Sequence, residues 1–428
     1  MTPRFNLLRH YTRTHLDELF GFFTGLALML PLAGRFGGVS CRFGGIAFLC
    51  IALFIAFAQR HTLKMPSKRA YGIIGIILAY GLLVIAAGTP AQFELIFHST
   101  EFLSHPHPYH IMKLAMFLAG FFPPFVLLVV FSLFAQTAKV KLGLIFSFIF
   151  MASLVGIRIL SDSALLAATD YATAAPFYTG EQRGDYSLIG ASLLLGMGVL
   201  AAFSFIDRSR KKLIVCSLFI GASLFLAFWI NRRADTIFCI FLLLSYALLS
   251  GFRHPERRRP IFTGVILSLL IMLTLASTLY NGVNAAYWEN AGKRTLLHRA
   301  DYVEIGLSPN LHAGVADNSL LSFLTRPGGL ASFSERKPQA KYPHNILIET
   351  FYEIGWPATF ILILLMGTTT IVGCYGILRG SFQKEQEVLW LIAGFIMLNT
   401  MFAGDITGPR SLFFFMGVSL IGITKRPA

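Results

Sequence analysis

His344 opens the run His344-Asn345-Ile346-Leu347-Ile348-Glu349-Thr350-Phe351-Tyr352-Glu353-Ile354-Gly355, whose residue types suit proton transfer. A neutral imidazole can take a proton near neutral pH, and nearby carboxylates can orient the ring and set its tautomer. Pro343 fixes an extended approach from Tyr342 and suits a helix start. His344 and Asn345 are therefore expected at the head of a helix. Glu349 and Glu353, spaced i and i+4, share one face of it, and Gly355 and Pro357 reset the backbone before the apolar run 358–367. The spacing suggests a base at His344, with Tyr342, Asn345, Glu349 and Glu353 supporting or orienting it.

A second set of residues is cationic. Arg232 and Arg233 sit in a short polar turn between two apolar runs. Their guanidinium forks match phosphate oxygens bidentately, though arginines in such a turn also serve by snorkelling to lipid headgroups. Arg294 lies in the segment 293–301, where Arg294, His298 and Asp301 share one helical face and Leu296, Ala300 and Val303 another. That pattern equally describes an amphipathic helix at a membrane surface. Arg158, at the end of the fifth apolar run, is a weaker candidate of the same kind. The stretch 89–111 holds His98, His105, His107 and His110, but Pro106 and Pro108 break the helical spacing that a HExxH-type site uses. No metal and no cofactor are expected.

The elements that must position these residues are membrane helices. Apolar residues make up 55% of the chain and charged residues only 13%, and apolar runs of about 18 to 22 residues recur along its length. The expected fold is all-α and polytopic, with about twelve transmembrane helices from roughly 17–35 to 411–424. Pro123-Pro124 predicts a break or kink in the fourth. The formal charge of +15 would suggest nucleic acid in a soluble chain, but here the basic residues cluster between apolar runs. Topology accounts for them, and no nucleic-acid partner is expected. With both termini cytoplasmic, the clusters at Arg60 to Arg69, Arg208 to Lys212 and Arg253 to Arg259 fall inside. Asp17 and Glu18 ahead of the first run, with no small-residue cleavage site after it, mark an uncleaved helix rather than a signal peptide. A single membrane domain follows: residues 1–280 with nine spans, a large outer loop 281–355 carrying short surface helices, and 356–428 with three spans. Cys41, Cys50, Cys216, Cys239 and Cys374 form no paired motif.

The run His344, Asn345, Glu349, Glu353 and Gly355, preceded by a long outer loop and followed by a few final spans, resembles the O-antigen ligase/polymerase superfamily of bacterial membrane glycosyltransferases. The motif similarity covers mainly 213–378, and the length and loop position are most similar to the lipopolysaccharide O-antigen ligases. Arg233, with Arg232 as the alternate, matches the family's arginine at the outer end of a span, and Arg294 matches an arginine early in the large loop. The tryptophan usual four residues later is His298 here, and the Gly-rich segment beyond is poorly kept in Gly314-Val315-Ala316-Asp317.

The resemblance implies a GT-C-like architecture in the inner membrane with its active site facing the periplasm. It also implies metal-free transfer of a glycan from undecaprenyl diphosphate to a sugar hydroxyl of lipid A-core, with inversion. His344 would be the general base, and Arg233, Arg232 and Arg294, with Arg158 as a helper, would hold the diphosphate. Membrane lipids are the remaining expected partners. An O-antigen polymerase and a protein O-oligosaccharyltransferase use similar chemistry. A lipid-linked glycan flippase or transporter is the rival of another class, and it calls for polar residues along a transmembrane path.

Overall fold

The structure, a computed structural model, describes residues 3–33, 35–36, 39–60, 65–98, 109–134, 137–161, 188–230, 233–253, 255–279, 345–403 and 411–421. Among these residues the chain forms α1 (Pro3–Met29), α2 (Cys41–Ala58), α3 (Lys68–His98), α4 (Tyr109–Ser132), α5 (Ala138–Ser161), α6 (Leu188–Phe203) and α7 (Arg210–Trp229). It continues with α8 (Arg233–Arg253), α9 (Pro255–Leu279), α10 (Ile346–Glu353), α11 (Trp356–Arg379), α12 (Lys384–Ala403) and α13 (Leu412–Ile421). A hairpin of two-residue strands, Arg35–Phe36 against Val39–Ser40, joins α1 to α2. Helices dominate because hydrocarbon supplies no partner for backbone N–H and C=O groups, so each apolar run must satisfy its own.

Eight of these helices are long and apolar enough to cross a membrane, and the chain is a membrane-embedded helical protein. The shorter apolar helices α2, α6 and α13, together with α12, lie on the four remaining predicted spans. α12 begins with Lys384, Glu385 and Glu387, which set it apart by charge rather than by length. The outer faces are apolar: Phe43, Phe54 and Ile371 are each 70% exposed, an inversion of soluble surfaces that suits a lipid surround. Of the predicted break or kink at Pro123-Pro124, the break does not occur: α4 runs through both prolines as one helix. Missing proline donors are tolerated in membrane helices whose neighbours re-satisfy the freed backbone groups.

Two packing features set the frame. α1 lies directly on α5, where a Cβ added at Gly21 would sit 1.9 Å from the Val140 carbonyl oxygen and one at Gly143 would sit 2.0 Å from that of Glu18. The pairs Gly21-x-x-x-Gly25 and Gly143-x-x-x-Ser147 let the two backbones touch in the small-residue mode of membrane helices. The middle of the bundle is α6, α12 and α13. Residues 412–420 of α13 are buried on every face, the mark of a helix that is apolar all round. α13 packs on α3, α4, α11 and α12, and α12 packs on α8 and α10.

Candidate functional site

α10 is the eight-residue helix that carries the glutamates of the motif. Asn345 is its N-cap, in extended conformation, and its side-chain oxygen accepts from the Leu347 and Ile348 N–H groups at 3.0 and 3.2 Å. Such a cap satisfies two of the four N–H groups that a helix start leaves open. The predicted helix head is thus at Asn345. At the other end the Ile354 and Gly355 N–H groups both return to the Thr350 carbonyl. Gly355 then takes φ 100° and ψ −179°, a combination open essentially to glycine alone, before α11 starts with Pro357 in its first turn. Two helices meet end to end across a break that only this residue allows.

α10 is not a surface helix. Ile346, Glu349, Thr350, Tyr352 and Glu353 are buried, and both carboxylates meet Lys113 near the start of α4. The Lys113 ammonium donates to Glu349 Oε1, and to Glu353 Oε1 and Oε2 at 2.7 Å each. All three side chains are 1% exposed or less. The i, i+4 spacing is what lets one ammonium bridge both acids. Beside them the Tyr80 hydroxyl of α3 and Thr350 Oγ1 share a hydrogen bond of 3.1 Å. A helix about 12 Å long, at 1.5 Å per residue, is therefore tied to α3 and α4 by groups far away in sequence.

A second buried polar junction lies at the first turn of α8. Arg233 is the first residue of α8, and Asp235, two positions on, is 3% exposed. Its Oδ2 accepts from the Ser192 hydroxyl of α6 and its Oδ1 from the Asn399 amide of α12. A carboxylate in the first turn of a helix also meets the positive end of the helix dipole. Because α12 packs on both α8 and α10, one buried helix links the two junctions. Arg158 sits half-buried in the last turn of α5.

Arg232, Arg294, Tyr342 and His344 lie outside the described residues, as do the outer loop 281–344 and its expected short helices. Among the sequence candidates, Glu349 and Glu353 are brought together by Lys113, and Asn345 caps the helix that holds them. Lys113, Tyr80, Asp235, Ser192 and Asn399 did not figure as site residues in the sequence. Only two gave a signal: Lys113 and Asp235 are charges inside apolar runs, which in membrane proteins are paired and functional more often than not. A scan against protein-family models finds no match to this chain, and a search of curated proteins finds none either.

Proposed function

We propose that the protein is a lipopolysaccharide O-antigen ligase of the bacterial inner membrane, moving a glycan from undecaprenyl diphosphate to a sugar hydroxyl of lipid A-core. The observation that carries this reading is the anchoring of the helix that follows His344, built from the Asn-x-x-x-Glu-x-x-x-Glu-x-Gly part of the run. Asn345 caps the helix, Glu349 and Glu353 are held by Lys113, and Gly355 makes the break into α11. In sequence His344 directly precedes Asn345, the cap of this anchored helix. A base needs a fixed seat, since a misplacement of about 1 Å can cost about a hundredfold in rate.

In this reading twelve spans cross the membrane, both termini are cytoplasmic, and residues 281–355 face the periplasm. His344 takes the proton of the acceptor hydroxyl as its oxygen attacks the anomeric carbon from the side opposite the diphosphate. The bond from the anomeric carbon to the phosphate oxygen breaks with inversion. Arg233 and Arg232, with Arg294 and Arg158, hold the departing negative charge. The buried Asp235 junction fixes the start of the helix that Arg233 opens.

Deleting the gene and running lipopolysaccharide on a gel tests the assignment. The expected result is loss of the long ladder with accumulation of lipid-linked O-antigen. A single repeat retained on the core would make the protein a polymerase instead.

A further inference from the structure

A cavity of about 620 Å³ opens at the ends of α6, α8 and α12 opposite the Asp235 junction. Its floor is apolar and buried, with Phe203, Ile206, Ile261, Val388 and Leu391. Arg208, Ser209 and Lys384 form its exposed mouth. One acid, Asp207, lines it. Asp207 accepts from Lys212 Nζ at 2.8 Å and from the Ser209 N–H at 2.7 Å, and Lys384 also lies close enough to stabilise its charge. Tyr246, which lines the cavity, donates its hydroxyl to Glu387 at 2.6 Å, and both residues are buried. Arg210 and Lys211 flank the mouth on the first turn of α7, and α7 and α12 both begin here, with the positive ends of their dipoles towards it.

We propose that this cavity binds an anionic glycerophospholipid, with its phosphate between Arg208 and Lys384 and an acyl chain on the apolar floor. A basic mouth between helix ends on the Lys/Arg-rich side of a membrane protein is where anionic headgroups are recognised. A free phosphate has no use for the apolar floor. A volume of about 620 Å³ falls within the roughly 300–1,000 Å³ range of small-ligand sites. The site lies on the other membrane face from α10 and does not depend on the transfer reaction.

Native mass spectrometry of the purified full-length protein with phosphatidylglycerol or phosphatidylcholine tests it. Phosphatidylglycerol is expected to be retained preferentially, and Arg208→Gln and Lys384→Gln each to weaken it about fivefold. Arg208→Lys with Lys384→Arg should keep the preference, and Lys68→Gln, a charge elsewhere on the same face, should leave binding unchanged. Glycerol phosphate should not displace the lipid. Equal retention of both lipids, no effect of the glutamine variants, an equal loss with Lys68→Gln, or displacement by glycerol phosphate would each overturn the proposal.

Discussion

Lys113 is the residue on which the candidate site hangs. A buried ammonium that holds two buried carboxylates is worth most when one partner is removed, because the charges left behind have no water to turn to. Breaking such a pair costs about 3–5 kcal/mol. Lys113→Met is therefore expected to lower the thermal midpoint of the detergent-purified protein sharply. Replacing all three residues at once, Lys113→Met with Glu349→Met and Glu353→Met, should recover most of that stability, since apolar side chains of similar volume often substitute for a buried ion pair without loss. A single variant as stable as wild type would show that the three charges are not held as described. The i, i+4 spacing of Glu349 and Glu353 is plain in the sequence, and so is the capping chemistry of Asn345. Their partner is not. Lys113 is separated from Glu349 by 236 positions, and nothing local in either segment specifies which distant charge will meet a pair of acids. The chain places those acids near the imidazole in sequence, and the described contacts add a buried ammonium from α4.

Among the elements, the long helices were the most legible, because an apolar run of membrane-spanning length has one way to satisfy its backbone. The depth of α10 was not. Eight residues with two acids look like a surface segment until a buried lysine is placed beside them. The twin prolines of α4 do not end the helix, because neighbours in a membrane bundle can supply partners for the freed backbone groups. The contact of α1 with α5 through Gly21, Gly25, Gly143 and Ser147 was not read from the sequence, because spacing marks a face without naming what lies on it. Gly143→Leu would drive a side chain into the α1 backbone at Glu18. Overpacking of that kind costs about 1–3 kcal/mol or more, so fluorescence-detected gel filtration should show less monodisperse protein. An unchanged profile would mean that α1 and α5 are not in backbone contact.

At the scale of the molecule, the charge distribution and the buried junctions divide the bundle into two ends. One end holds Lys113, Asp235 and α10. The other holds Arg208, Lys212, Lys384 and the basic cavity. Single cysteines at Ser209 and at Asn345, in a background without the native cysteines, should react with a membrane-impermeant maleimide from opposite sides of the membrane. In whole cells only position 345 should be labelled. Labelling of position 209 under those conditions would reverse the topology and move the site to the cytoplasm. The role proposed for His344 in activating the acceptor hydroxyl is measured with purified protein, lipid-linked donor and lipid A-core. His344→Ala is expected to abolish transfer while the protein stays folded and abundant. Transfer by His344→Ala at the wild-type rate would contradict that role.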